Sequence, residues 1–265
     1  MSTALITGAS AGIGRELALV FGENGYDLIV VARTRARLES VADEVRSRFG
    51  RRVDILCADL ASPGAAAFVH EQAAALEHPV DVLVNNAGIA VPRPFVEADR
   101  ADLSMMVQLN VVALTELIRA FLPDMVARGA GRILNIASIA AFQPTPMLSA
   151  YGATKAFVLS LTEGLSQELA GSGVTVTANC PGFVDTDLVR NAAHSLGTPN
   201  LVPSFLLLDP AAVAREAFDA CMKGEVIRVS GWTYELLVQL GRLYPRWLVR
   251  NVAGLVARQY MSGAP

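Results

Sequence analysis

Of the 22 basic side chains in this 265-residue chain only two are lysine, Lys155 and Lys223. Arginine serves everywhere else, so position 155, inside the stretch YGATK, is a place where a guanidinium does not suffice. Cysteine is also scarce: Cys57, Cys180 and Cys221 are far apart, odd in number and free of any C-x-x-C spacing. That pattern excludes a disulfide framework and a cysteine zinc site, and it fits a reducing compartment. No metal is expected. Neither sign of charge dominates, with 22 Lys+Arg against 25 Asp+Glu, which excludes a global basic field for nucleic acid and an acidic tail. No run approaches the roughly 18 uninterrupted apolar residues of a membrane span. The chain enters the apolar run ALIT by residue 4, leaving no room for a secretory signal; a cytoplasmic location is expected.

What the chain does have is apolar content, 52% of its residues, enough to bury one full core. Seven short runs rich in Val and Ile, namely ALIT, DLIVVA, VDIL, DVLV, RILNIA, VTVTAN and EVIRVS, alternate with longer helix-period segments. Continuous apolar strands imply burial on both faces, and crossovers of this length imply parallel pairing. The reading is an α/β fold, a Rossmann-type doubly wound parallel sheet in a single domain over 1–265. Within it, 1–190 form the cofactor-binding and catalytic core. The stretch 187–209 is an irregular or short-helical insertion after the sixth strand, placed to cover a ligand beyond the strands' carboxyl ends, and a further helix is expected near Pro210 to Met222.

The first strand runs into TGASAGIG and then straight into the helical pattern RELALVFGEN. Gly8, Gly12 and Gly14 there permit a tight turn, close approach of backbone to a pyrophosphate and close packing of helix on strand, and the helix N-terminus attracts the anion. About 20 residues on, where an acid would bond the ribose of NAD, stand Ala32 and Arg33. An acid repels a 2′-phosphate; a guanidinium meets it with charge-assisted hydrogen bonds worth about 1.5 to 3 kcal/mol. The expected cofactor is therefore NADP (NADPH) in preference to NAD. Arg33 also reads as the first of three solvated arginines, 33, 35 and 37, on the following helix.

Tyr151 and Lys155 lie four apart and so share one helical face. To act near neutrality a phenol must drop about three units from about 10, which costs near 4 kcal/mol; one ammonium about 4 Å away at an effective dielectric of 20 supplies a comparable amount. A lysine also leaves slack for ribose hydroxyls that a planar guanidinium does not. Ser138 follows the fifth strand, where its hydroxyl can hold a carbonyl oxygen while Tyr151 donates the proton.

With TGASAGIG at 7–14, Asp59 in CADL, NNAG at 85–88, Asn110 in QLNVVAL, Ser138, YGATK at 151–155 and PGFVDT at 181–186, the chain resembles a classical short-chain dehydrogenase/reductase over roughly 3–190. The resemblance implies catalytic roles for Asn110, Ser138, Tyr151 and Lys155, with Asn110 completing a proton relay with Lys155. It implies cofactor contacts from Gly8, Ser10, Gly12, Ile13 and Gly14, from Asp59 to the adenine with Leu60 beside it, and from Asn86, Ala87 and Gly88 along the adenosine ribose. Tyr151, Lys155, Pro181, Gly182, Val184 and Thr186 complete the set. Each piece has a plain structural alternative: Asp59 can begin a turn, NNAG can end a strand, Asn110 can bend a helix, and PGFVDT can be a loop with an N-cap.

The expected activity is NADP-dependent interconversion of a carbonyl and a secondary alcohol, mainly as a reductase; a non-catalytic NADPH sensor, or an NAD-dependent alcohol dehydrogenase of the same fold, is the alternative. Val91, Pro92, Phe142, Pro144, Met147, Leu148 and the Phe183 to Leu208 segment are candidate walls of an apolar substrate cleft. In the tail, 232–265, Leu236, Leu240, Leu243 and Trp247 recur at helical spacing, Arg242, Arg246 and Arg250 recur every four residues, and Pro245 interrupts. That face either rests on anionic lipid as a peripheral membrane contact, closes over an acyl chain, or packs on another subunit of a homo-dimer or homo-tetramer.

Overall fold

In the computed structural model, residues 2–76, 78–195 and 202–262 are described, with backbone alone at 242 and 256–262. The seven apolar runs form seven strands: β1 (Thr3–Thr7), β2 (Asp27–Ala32), β3 (Val53–Cys57), β4 (Val82–Asn85), β5 (Gly131–Ile136), β6 (Val174–Pro181) and β7 (Ile227–Ser230). They make one sheet in the order β3-β2-β1-β4-β5-β6-β7, every pair parallel. The order reverses between β1 and β4, and the crevice beyond the carboxyl ends at that point is where such sheets bind ligands.

Alternate side chains of each strand feed two cores. On one face α1 (Gly12–Glu23), α2 (Arg35–Phe49) and α8 (Pro210–Lys223) bury Leu17, Phe21, Leu38, Val45 and Phe218 against Ile6, Val30, Val84 and Leu134. On the other, α3 (Ala65–Ala74), α5 (Leu114–Arg128) and α6 (Ser149–Glu168) bury Val69, Leu117, Phe121 and Val158 against Leu5, Ile29, Leu83, Ile133 and Val176. α8 starts as expected, with Asp209 accepting from Ala211 and Ala212 N–H and proline at its first turn, where a missing N–H costs nothing. A helix α4 (Arg100–Val107) joins α5 through a π-helical turn, Gln108–Ala113. The continuous helix Arg100–Arg128 is long and apolar enough to cross a membrane by length and composition, but Leu114, Leu117, Ile118, Phe121 and Met125 are buried on the sheet.

After β6 the chain makes an excursion through α7 (Asp187–Ser195) and returns at Leu208, which pairs with Val184 in an isolated parallel bridge. The part of the insertion at 196–201 lies outside the described residues, as do residues 263–265 of the tail. The tail forms α9 (Trp232–Leu243) and α10 (Arg246–Ser262), broken at Tyr244–Pro245, as the proline requires. Its packing differs from the leucine pattern. Tyr234 and Val238 are the buried positions of α9, whereas Leu236, Leu240, Leu243 and Trp247 are 52%, 44%, 78% and 58% exposed. The repeat identified residues sharing a face, and that face looks outward. Arg246 and Arg250 are exposed; the side chain of Arg242 lies outside the described set.

Candidate functional site

The glycine turn is built by contacts that tolerate no Cβ. A methyl on Gly14 would lie 2.2 Å from the Gly8 carbonyl oxygen and 2.4 Å from Asn86 Nδ2, and one on Gly8 would lie 2.8 Å from Asn86 Nδ2. Gly8 and Gly12 have φ of 65° and 55°, a region that favours glycine. Asn86 holds the turn from the neighbouring strand end: Nδ2 donates to the carbonyls of Thr7 (2.9 Å) and Gly8 (3.2 Å). Thr7 Oγ1 accepts from the backbone N–H of Asn86 and Ala87 and donates to Val84 O. This clamp leaves the N-terminus of α1 bare, with space beyond it. The cradle fits a dinucleotide pyrophosphate.

That space is a cleft of about 410 Å³, which Gly8, Ser10, Gly12 and Ile13 line together with Arg33, Asp59, Leu60, Asn86, Ala87, Gly88, Ser138, Tyr151, Lys155, Pro181, Gly182, Val184 and Thr186. Two of the expected residues stand behind the wall. Gly14 packs on the turn, and Asn110, 1% exposed, spends its amide on its neighbours. Its Oδ1 accepts from Ile89 N (3.0 Å), and its Nδ2 donates to Ile89 O (2.9 Å) and Thr154 Oγ1 (3.1 Å). Asn110 thus fixes the strand-end loop behind Gly88 from within the π-helical turn. Asp59 starts a turn, accepting from Ala61 N at 3.1 Å, and also lines the cleft.

Arg33 is joined in the cleft by Thr34 and by Arg37, the latter read from sequence only as one of a solvated row. Arg33 itself precedes α2, whose N-cap is the extended Thr34, and Arg35 pairs with Glu39 at 3.8 Å. Among the described residues neither Arg33 nor Arg37 makes an ion pair.

Ser138 sits at the end of β5 with an extended backbone and accepts from Ala140 N at 3.1 Å. α6 is held beside it by a buried chain that sequence reasoning passed over. Asn85 Nδ2 donates to Asn135 Oδ1, and Asn135 Nδ2 donates to Thr162 Oγ1, each at 2.9 Å. Asn85 and Asn135 are register partners on β4 and β5, and buried amides left unpaired are costly, so this chain fixes how α6 lies on the sheet. Gly152 adds close approach, since a Cβ there would come within 2.3 Å of Thr145 Oγ1. Tyr151 is thereby brought to Ser138, and Lys155 Nζ donates to Ile136 O at 2.7 Å, 5.8 Å from the centre of the Tyr151 ring.

The electrostatics correct one expectation. Lysine was expected to pull the phenol down toward neutrality. Instead burial around the hydroxyl pushes Tyr151 up to about 12, opposed by a hydrogen bond with Ser138. Burial also pushes Lys155 down to about 8, opposed by Cys180. Removal from water is the largest cause of each shift, because desolvation disfavours each charged form separately. Near pH 7 the tyrosine holds its proton and Lys155 is mostly an ammonium.

Val91, Pro92, Phe142, Pro144, Met147 and Leu148, expected to line the substrate cleft, are not among its lining residues. They belong to two loops tied together by Arg93 N–H to Met147 O at 2.9 Å, with Met147 at φ 71°. Of the Phe183 to Leu208 segment, Val184 and Thr186 to Val189 do line it, and the apolar wall is completed by Ile89, Met105 and Leu109.

Residues 2–196 match the model of a protein family described as short chain dehydrogenase. The chain is 35% identical over 207 residues to the ketoacyl reductase HetN of Nostoc sp. strain PCC 7120, covering 76% of this chain and 72% of that protein. It is 34% identical over 206 residues to a very-long-chain 3-oxoacyl-CoA reductase of Phaeosphaeria nodorum, where the match covers 76% of this chain but only 59% of that protein. Among solved structures, a short-chain dehydrogenase from Sphingobium yanoikuyae in complex with NADPH superposes with a TM-score of 0.81 at 33% identity, over 100% of this chain and 97% of that one.

Proposed function

The chain belongs to the short chain dehydrogenase family, and we propose that within it this protein is an NADP-dependent reductase that converts the carbonyl of a hydrophobic small molecule to a secondary alcohol. The observation that carries the reading is the convergence of Ser138, Tyr151 and Lys155 in the same cleft as the glycine cradle. A sensor of NADPH would need the cradle but not a proton donor.

The reduced cofactor, NADPH, would supply the hydride when bound and leave as NADP. The chain's own residues do the rest. The cradle of Gly8, Gly12 and Gly14 takes the pyrophosphate, and Arg33 with Arg37 offers unpaired positive charge where Ala32 leaves no acid to repel a 2′-phosphate. Asp59 and Leu60 would hold the adenine, and Pro181, Gly182, Val184 and Thr186 would border the nicotinamide end. The Ser138 hydroxyl holds the substrate oxygen. Tyr151, which burial keeps protonated at neutral pH, gives that oxygen its proton, the direction of a reductase. Lys155 stabilises the phenolate left behind and is the group from which the proton is replaced, with Asn110 keeping the loop beside it in place.

The apolar wall of Ile89, Met105, Leu109 and Leu188 supports a hydrophobic substrate, with Asp187 and Val189 beside Leu188 at the cleft. The outward apolar face of α9 and α10 supports assembly with further copies of the chain, because patches of this kind usually mark contact surfaces. A panel of aliphatic, aromatic and steroid-like ketones, followed by loss of NADPH absorbance, tests the activity. Turnover of at least one class is expected, slower with NADH; NADPH binding without turnover of any of them would return the reading to a sensor.

A further inference from the structure

Gly182 lines the cleft on one side and on the other lies against an aromatic ring from α9. A Cβ on Gly182 would come within 2.3 Å of Cε2 and 2.4 Å of Cδ2 of Tyr234. Tyr234, in the first turn of α9, is 4% exposed on a helix otherwise turned largely to solvent. Its hydroxyl donates to the Leu206 carbonyl at 2.7 Å, and its ring meets that of Phe183 edge-on, centroids 6.5 Å apart. Gly231, at positive φ, opens the helix with Leu208 packed against it. Leu208 in turn donates to Phe183 O at 2.8 Å and accepts from Asp185 N at 3.0 Å. One side chain therefore touches both flanks of the excursion, the outgoing Gly182–Phe183 and the returning Leu206, although it lies beyond the 2–196 family match.

We infer that Tyr234 is a positioning residue for the cofactor: its ring backs the Gly182 wall of the cleft and its hydroxyl ties that wall to the returning strand, so that α9 sets how firmly the nicotinamide-side loop is held. The inference rests on the reading of the cleft as an NADP site. The physical basis is that a glycine flank supplies no side chain of its own to pack, so the loop's rigidity comes from the neighbour that fills the space. A loop held in its binding geometry for a smaller share of the time binds in proportion more weakly.

The test compares the full chain with Tyr234→Ala, Tyr234→Phe and the control Val238→Ala, which alters the buried position of α9 one turn further on. NADPH affinity is measured by fluorescence titration, and hydrogen exchange is followed in peptides covering 183–186 and 204–208. Tyr234→Ala is expected to weaken NADPH binding about tenfold or more and to speed exchange in both peptides. Tyr234→Phe keeps the ring, so affinity should stay within about twofold while exchange at Asp185 and Leu208 rises about fivefold, the share of one hydrogen bond. Val238→Ala should leave affinity unchanged. Equal affinity for Tyr234→Ala and the unaltered chain overturns the inference, as does an equal loss from Val238→Ala. If Tyr234→Ala does not fold, unchanged exchange in Tyr234→Phe overturns it. Should the unaltered chain fail to bind NADPH, the cofactor reading falls, while the exchange measurements still decide whether Tyr234 joins the two flanks.

Discussion

Lys155 is a buried cation that donates to one carbonyl, Ile136 O, and it should show itself in the pH dependence of stability. Burial lowers it from 10.5 to about 8, so the folded protein releases this proton earlier than the unfolded chain does. Between those values the unfolded state binds more protons, and stability must rise with pH. The separation, at about 1.4 kcal/mol per pH unit, makes the buried charge cost about 3 kcal/mol at neutral pH. About 2 kcal/mol of that is removed by pH 9.5. Tyr151 does not interfere in this window: burial raises it from 10.0 to about 12, so the folded state keeps that proton longer and stability falls only above about pH 10. Urea denaturation of the unaltered chain and of Lys155→Met at pH 7, 8, 8.75 and 9.5 isolates the effect, because other titrating groups cancel in the difference. Methionine keeps the length of the side chain and leaves Ile136 O without its donor, a cost independent of pH. The stability of the unaltered chain should gain about 2 kcal/mol on the variant across the range. Parallel curves would refute the argument, and with it the view that burial governs this site.

Tyr151→Phe keeps the ring and its packing but removes the donor, so NADPH titration should be nearly unchanged while turnover falls by about 10² to 10⁴; near-normal turnover on any ketone from the panel would remove Tyr151 from the chemistry. Arg33→Ala should lower the NADPH-to-NADH affinity ratio about tenfold or more, and Arg37→Ala should lower it further in the double variant; an unchanged ratio makes both arginines surface residues. Gly14→Ala drives a methyl into the Gly8 carbonyl and Asn86, both held by hydrogen bonds, so calorimetry should show destabilisation of about 1 to 3 kcal/mol together with lost NADPH binding. The control Gly164→Ala, where a methyl meets nothing within 4 Å on α6, should instead stabilise by up to about 1 kcal/mol.

The residues that line the cleft were largely legible because their pattern is carried by local spacing. Glycines between strand and helix dictate a turn, and residues four apart on a helix dictate a shared face. What escaped depended on neighbours far along the chain. Arg37 could be told from Arg35 only once α2 was oriented on the sheet. Asn85 and Asn135 are unremarkable strand residues until register sets them side by side, 50 residues apart, under α6.

The same division runs through the rest of the molecule. Seven apolar runs separated by crossover-length helices already determined a parallel sheet, since buried strands need both faces apolar and parallel neighbours need long connections. The tail shows what periodicity leaves open. Leu236, Leu240, Leu243 and Trp247 share a face by helical repeat, yet Tyr234 and Val238 are the residues that bury, because helix geometry fixes which side chains stand together and not which side finds a partner. The partner is Gly182, a position with room for a ring and no side chain to exclude it. The proton affinities of Tyr151 and Lys155 were likewise set by tertiary structure alone: spacing brings the two groups together, but the sign of each shift depends on how much water the surrounding strands and helices remove, and that desolvation exists only when the chain is folded.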